Sequence, residues 1–347
     1  MEIKENLKSL LPDELEKLKT TIDKIITELG IKPSTNKRYL LRDNKVECPL
    51  CNNSNVVKNG TKNKAQRYLC KSCSKYFSIT TNNIINHSKL SHIQLLKILE
   101  CMARFDTLEI TSKEVGISER QAYNIRIKII NLFKKINEKE LLKGIVQADE
   151  KYLRISFKGT RKAKMPRKSR KNGTQGLKPG IGKEKVCIIG AIDSNDNIIL
   201  KIVGIGSAST EMIEKALADK IEKNSVLVTD SKTGYIKFAE NNNLILKQLP
   251  KKTYTIEDIY HLGELNSLFS ELEIFIQKFK GLSTRHLQEY LDWFRFRKIL
   301  KYTVEYLNIN GEMFKYITQN KTTLKNAEIC KRTFPVDTSE LFDDPFL

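Results

Sequence analysis

The spacing of apolar residues changes along the chain, and each change marks a different element. Near the start, Leu11, Leu15, Leu18, Ile22, Ile25 and Leu29 step by four, three, four, three and four. That period predicts a helix, with Pro12 suited to its first turn and Gly30 to its C-terminal cap. A stripe of this length serves either a short coiled coil or a helix packed on its own chain. Residues 31–45 are polar and read as a linker. Next come short alternating runs, with Val56 and Val57 suited to a strand, Asn59-Gly60 and Asn63 to turns, and Arg67-Tyr68-Leu69 to a returning strand. The helical period resumes at Ile93, Leu95, Leu96, Ile98, Leu99 and Met102. The run "SKEVGISERQAYNIRIKI" then reads as helix, turn at Gly116 and helix, with Ser118 and Gln121 placed as a capping box.

From residue 144 the pattern becomes that of an α/β domain. "GIVQADEKYLRIS", "KVCIIGAID" and "NIILKIVGI" predict three strands, the last two joined by a turn at Ser194-Asn195-Asp196. A helix is expected from about Thr210 to Glu222, then the strand "SVLVTD", a helix, the strand "NLILKQL" and further helix. This order predicts a mixed central sheet with helices on its faces. It also places Asp149 near one strand end and Asp230 at another, where two carboxylates of one sheet can converge. Residues 301–347 read as a helical tail to about Lys331 that then frays.

Cysteine spacing adds a metal. Cys48, Cys51, Cys70 and Cys73 form two Cys-x-x-Cys pairs within residues 46–80. Two such turns can aim four thiolates at one tetrahedral Zn²⁺, the pattern of a zinc ribbon. The alternative is a pair of structural disulfides. Met1 to Lys8 carries charges of both signs with no apolar run behind it, so no secretory leader is expected. Cys101, Cys187 and Cys330 lie in apolar runs and read as small buried hydrophobes.

Charge narrows the partner. The 61 Lys and Arg against 41 Asp and Glu give a net charge of +20, which favours a polyanion, nucleic acid before acidic lipid. No apolar run approaches the roughly 18 residues of a membrane span. A protein of the cytoplasm, associated with the nucleoid, is the expectation. Within the helix–turn–helix of residues 88–140, Val115, Ile117, Ala122 and Ile125 would lock the helices together. Glu119, Arg120, Tyr123, Asn124 and Lys128 would face outward to meet double-stranded DNA. Residues 158–185 carry a dense basic run that includes Arg167, Lys168, Arg170 and Lys171, with Glu184 as its one acid. That run is a solvated loop or a grip on DNA backbone.

Together, "CPLC", "YLCKSCSKYFS", "VQADEKY", "VLVTD" and "HLGELNSLFSELEIFIQKFKGLSTRHLQEYLDWFRFRK" resemble an insertion-sequence transposase of the DDE type, in the ISXO-like group with an N-terminal zinc ribbon. The resemblance implies a ribonuclease-H-like catalytic domain over 144–300, two catalytic Mg²⁺ or Mn²⁺ ions, and cleavage at donor ends followed by strand transfer into target DNA. Terminal inverted repeats would be its recognition sites, and holding two ends together implies a homodimer or higher assembly on DNA. By position, Asp149 and Asp230 resemble the first two catalytic acids and the main metal ligands. The third position falls on Asn266, with 35 residues between it and Asp230.

Here the sequence departs from the usual pattern. An amide stands where glutamate is usual, and Glu273 stands where a DNA-contacting lysine is usual. Two helical turns separate Glu273 from Asn266, so Glu273 could supply the missing charge from the same face. Glu264 and Glu271 are expected to point elsewhere. The rival reading is a catalytically impaired or domesticated DNA-binding protein that keeps the zinc ribbon and the helix–turn–helix; a nuclease that cuts without rejoining is a third.

Overall fold

The computed structural model describes residues 46–62, 65–78, 81–82, 84, 90–133, 141–160, 180–303, 317, 320, 322 and 324–338. The expected N-terminal helix and the basic residues Arg167, Lys168, Arg170 and Lys171 lie outside the described residues. The chain divides into two compact units, Met1–Leu96 with Lys315–Lys321, and Lys97–Phe314 with Thr322–Leu347.

The first unit contains a three-stranded antiparallel ribbon of β1 (Val56–Lys62), β2 (Ala65–Cys70) and β3 (Tyr76–Ser78). Its buried core consists of Cys48, Tyr68, Cys70 and Phe77, with the Tyr68 and Phe77 rings stacked at 5.5 Å. The expected turn at Asn59-Gly60 is instead an irregularity inside β1. The register shifts between Lys58 and Thr61, and Gly60 sits at φ +62°. A glycine at positive φ absorbs the extra residue and lets the strand continue.

In the second unit, β4 (Ile145–Arg154), β5 (Lys185–Asp193) and β6 (Ile198–Ile205) form an antiparallel meander. β7 (Val226–Thr229) and β8 (Ile245–Gln248) add to it in parallel, giving the order β6-β5-β4-β7-β8. β5 is buried along nearly its whole length, as a central strand covered on both faces should be. The expected turn after β5 is organised by buried Asp193, whose carboxylate accepts from the backbone N–H groups of Asn195, Asn197 and Lys143 at 2.9–3.0 Å.

One face of the sheet buries Val146, Ala148, Cys187, Ile189 and Ala191 under α4 (Thr210–Leu217) and α5 (Gly234–Asn241). α4 is shorter than its sequence suggests. The chain leaves the helix at Ala218 so that Lys220 and Glu222 can bond Leu142 at the sheet edge. A small hairpin of β9 (Thr255–Ile256) and β10 (Tyr260–His261) follows β8.

The other face is covered by α6 (Gly263–Lys278) and α7 (Leu287–Thr303). α6 approaches so closely that a Cβ built on Gly190 of β5 would stand 2.5 Å from the Phe269 ring. Gly190 is the register partner of Asp149. A residue without a side chain therefore lets the helix settle directly beside that acid.

α1 (His92–Ala103), α2 (Leu108–Val115) and α3 (Glu119–Phe133) complete the described helices before the sheet. Thr107 caps α2 by accepting from Ile110 N–H, Gly116 ends it at φ +69°, and Ser118 Oγ accepts from Gln121 N–H at 3.2 Å. α2 and α3 are thus two helices joined through a turn at Gly116. α3 packs against α7: buried Arg126 lies 5.3 Å from the Trp293 ring, and Phe133 stacks on Phe296 at 3.8 Å. Phe105 adopts φ +58°, which turns its ring into an aromatic cluster with Phe275 and Trp293 at 4.6 and 5.3 Å.

Candidate active site and metal clip

The clip in the first unit is built by two matching turns. Asn52 N–H bonds Cys48 C=O, Cys70 N–H bonds Lys75 C=O, and the residue after each pair, Asn52 or Ser74, takes positive φ. The four sulfurs lie within 4.8 Å of one another, with Cys48–Cys73 at 3.7 Å and Cys51–Cys70 at 3.5 Å. A disulfide needs about 2.05 Å, so these are free thiols. Tetrahedral zinc with Zn–S bonds of about 2.3 Å sets sulfurs about 3.8 Å apart, and the geometry fits. Burial works against the Cys70 thiolate, but the backbone N–H of Cys73, the Cys51 thiol and Ser72 N–H outweigh it and bring its pKa to about 6.

So small an apolar core cannot hold the ribbon alone. Cys51→Ser should reduce bound zinc from one per chain to near zero and abolish the ribbon's unfolding step, with the second unit's melting unchanged; metal analysis with calorimetry checks this. A mutant ribbon that stays folded without zinc would refute a structural role for the ion.

In the second unit, Asp149, Asp230 and Asn266 line one cavity of about 880 Å³. Asp149 comes from the middle of β4, Asp230 follows the last residue of β7, and Asn266 lies in the first turn of α6. Among the described residues, no third His, Cys, Asp or Glu joins the two acids as a close ligand group. The cavity is lined by the Asp149 and Asp230 carboxylates, by Glu150, which is paired with Lys232, by the Asn266 amide and by His261.

The candidates for a further charge are engaged elsewhere. Glu273, expected to be able to reach the site, pairs with Lys151 at 2.8 Å and does not line the cavity. Glu271 pairs with Lys298 at 2.8 Å, and Glu264 accepts from Gln147 Nε2 at 3.1 Å.

Two residues that the sequence did not single out organise the cavity. Gln147 Oε1 accepts from Leu265 N–H at 3.1 Å, where α6 has no capping side chain of its own. The strand that carries Asp149 thereby caps the helix that carries Asn266. On the opposite face of β4, Glu150 is only 5 % exposed and pairs with Lys232 at 2.8 Å, while Lys232 also donates to Tyr152 Oη at 3.1 Å. Lys232 N–H donates to Asp230 Oδ1 at 3.1 Å. Burial opposes the Lys232 charge, but Glu150 and Tyr152 outweigh it and raise its pKa. An acidic residue directly after a catalytic candidate was a signal available in the sequence; that Lys232 would answer it was not.

Burial first, and then the charges of Glu150 and Asp230, push Asp149 up to about 6, against the pull of Glu150 N–H and Lys232. A carboxyl raised in this way contributes stability below its ordinary pKa near 3.8 and loses it as pH rises through 6. Chelator-treated Asp149→Asn should therefore be more stable than chelator-treated wild type at pH 8, by on the order of 3 kcal/mol at 1.36 kcal/mol per pKa unit. Thermal melts of the two should converge near pH 4, and equal midpoints at pH 8 would contradict a desolvated Asp149.

On the helix–turn–helix, Arg120 is exposed at the start of α3. Tyr123 and Asn124, expected to face outward, are half-buried. The Tyr123 hydroxyl hydrogen-bonds His286 Nε2 at 2.8 Å. Burial, with Arg332 and Arg285 nearby, lowers the His286 pKa to about 4 and keeps the ring neutral for that bond. The amphipathic period identified the helix but could not show that α7 and its preceding turn cover this side of it.

Comparison with known proteins agrees with the domain. Residues 141–298 match the family model for the ISXO2-like transposase domain. An uncharacterized protein in the transposable element ISH50 of Halobacterium salinarum is 23 % identical over 259 residues, covering 74 % of this chain and 86 % of that protein. Among solved structures, the Mos1 strand transfer complex (14 % identity, 65 % of this chain and 78 % of that one, TM-score 0.27) and the Mos1 mariner paired end complex with Mn (14 %, 65 % and 79 %, TM-score 0.25) are similar only loosely. The family match thus falls on the segment that holds Asp149, Asp230 and Asn266, and there this chain is similar to the ISXO2-like transposase domain.

Proposed function

We propose that this chain is a transposase that cuts and joins DNA at insertion-sequence ends through a divalent-metal centre held by Asp149 and Asp230, with Asn266 as the third member. The observation that carries the reading is their shared cavity in a mixed sheet, of the order expected for a ribonuclease-H-like domain. Mg²⁺ or Mn²⁺ bound by the two carboxylates would activate the attacking oxygen and stabilise the leaving one. The chain's own residues supply placement. Lys232 N–H fixes the rotamer of Asp230, Gln147 ties α6 to β4, and Gly190 lets that helix close on Asp149. The Glu150–Lys232–Tyr152 group backs the site with a neutralised, hydrogen-bonded layer. Burial and the Glu150 charge raise Tyr235, beneath it, far above its usual pKa, so its hydroxyl stays neutral.

DNA recognition is assigned to the zinc ribbon and to Arg120 at the exposed N-terminus of α3, a position suited to base edges or phosphates. Tyr123 holds α3 in place in this arrangement through its bond to His286. Arg167, Lys168, Arg170 and Lys171 belong to a basic segment between β4 and β5, beside the proposed centre in sequence order, and its role is backbone contact. Cutting two ends in concert makes the active form a dimer or higher on DNA.

The binding-only alternative is favoured by one observation, the amide at 266 beside a cavity whose further carboxylate, Glu150, is paired with Lys232. Incubating the unmodified protein with its own flanking DNA ends and Mg²⁺ or Mn²⁺ separates the two. Nicked and joined products support the transposase reading, and binding without cleavage overturns it.

A further inference from the structure

The turn between β8 and β9 forms one wall of the cavity. Lys251, Lys252 and Tyr254 from this turn line the same space as Asp149, Asp230 and Asn266. Tyr254 is 88 % exposed, more than any other large apolar side chain recorded as exposed among the described residues. Neither lysine has an ion-pair partner among the described residues.

The turn is fixed to the catalytic strand rather than hung from it. Gln248 Nε2 donates to the carbonyls of Asp230 and Lys232 at 3.0 and 2.9 Å, and Ser231 Oγ donates to Leu249 C=O at 2.7 Å. Leu249 N–H reaches Thr229 C=O at 2.8 Å, and Thr253 N–H closes the turn on Pro250 C=O at 3.0 Å. Lys252 sits at φ +70°, a conformation that costs free energy for a residue with a side chain. An exposed aromatic face and two unpaired cations are therefore held at a set position from Asp230.

We infer that this turn is a platform for an unpaired nucleotide beside the cavity, its base stacked on Tyr254 and its flanking phosphates held by Lys251 and Lys252. An aromatic face with adjacent cations is the chemistry that receives single-stranded nucleic acid, because every base has a stacking face and every linkage a charge. A paired base has both faces covered by its neighbours, so the platform selects an unpaired one. The inference rests on the phosphodiester reading of the cavity for its purpose; the binding it describes is measurable without cleavage.

The test uses the full-length chain in chelator with a labelled oligothymidine carrying one 2-aminopurine, whose fluorescence falls when it stacks. Wild type and Tyr254→Phe should quench the probe. Tyr254→Ala should lose the quenching and bind about 5- to 150-fold more weakly, the range for one lost base stack at 1.36 kcal/mol per decade. Binding to a duplex closed by hairpins at both ends should be unchanged in Tyr254→Ala. Replacing Lys251 and Lys252 with Ala should reduce the slope of log K against log salt by about 0.7 for each contact on single strands. Full quenching and unchanged affinity in Tyr254→Ala would overturn the platform, as would an equal loss on closed duplex. Asp230→Asn should quench like wild type. Tyr254-dependent quenching without cleavage by the unmodified chain would therefore sink the cutting mechanism and leave the platform standing.

Discussion

Asp230→Asn is expected to slow end cleavage by about a thousandfold or more while changing DNA affinity by no more than about twofold. The carboxylate lies where β7 opens into the cavity and is aligned by Lys232 N–H. An amide of the same shape keeps that hydrogen bond and the fold but removes one of two charges available to a cation. Metal activation is worth several kcal/mol, and each 1.36 kcal/mol is a factor of ten in rate. Asp149→Asn should behave alike in cleavage.

Asn266→Ala should cost less than either, since the amide supplies coordination or water placement without charge. Asn266→Glu tests whether a third carboxylate raises metal affinity. Glu273→Gln should leave cleavage nearly intact, because Glu273 serves Lys151 outside the cavity. Single-turnover cleavage with parallel binding measurements checks the series. Wild-type-like cleavage by Asp230→Asn would end the metal-centre proposal.

Gly190→Val should be the most damaging change at a residue with no chemistry of its own. Even a bare Cβ there meets the Phe269 ring at 2.5 Å, and Leu265 lies 3.3 Å away. Phe269 is buried, so its ring has little room to swing aside and the strain passes to α6. Overpacking of this kind costs about 1–3 kcal/mol of stability. Because α6 carries Asn266 and faces Asp149 across the register pair, a shift on the order of 1 Å should also lower cleavage by about a hundredfold. Chemical denaturation and cleavage rates on the same preparation give both numbers. Phe269→Ala combined with Gly190→Val should recover part of the rate by making room. A Gly190→Val protein as active as wild type would show that α6 does not need this close seat.

Most of the sheet could be read from sequence because β5 and β7 are strongly apolar runs; Asp230 stands at a strand end as expected, whereas Asp149 lies mid-strand because β4 continues beyond it to Arg154. The cysteine pairs fixed the clip for the same reason: spacing alone restricts which sulfurs can meet. Gln147, Gly190 and Lys232 were not legible, since each acts on a partner 75 to 118 positions away or nearer only through a turn, and no local period records such contacts. Glu273 shows the converse. Helical geometry placed it correctly on the face of Asn266, but a lysine from β4 decided where its charge is spent. Tyr123 and Asn124 are half-buried for a similar reason, because a half-polar helix face looks fully solvent-exposed until another element packs near it.

The packing of α3 against α7 has a mechanical consequence. With Arg126 on Trp293 and Phe133 on Phe296, the helix proposed to read DNA is part of the same packed body as the cavity proposed to cut it. Such a body works as a ruler. The distance from the recognised bases to the broken bond is set by side-chain packing rather than by linker length, so cuts should fall at one fixed offset from the sequence read by α3, and loosening Phe133 or Phe296 should scatter them over neighbouring positions.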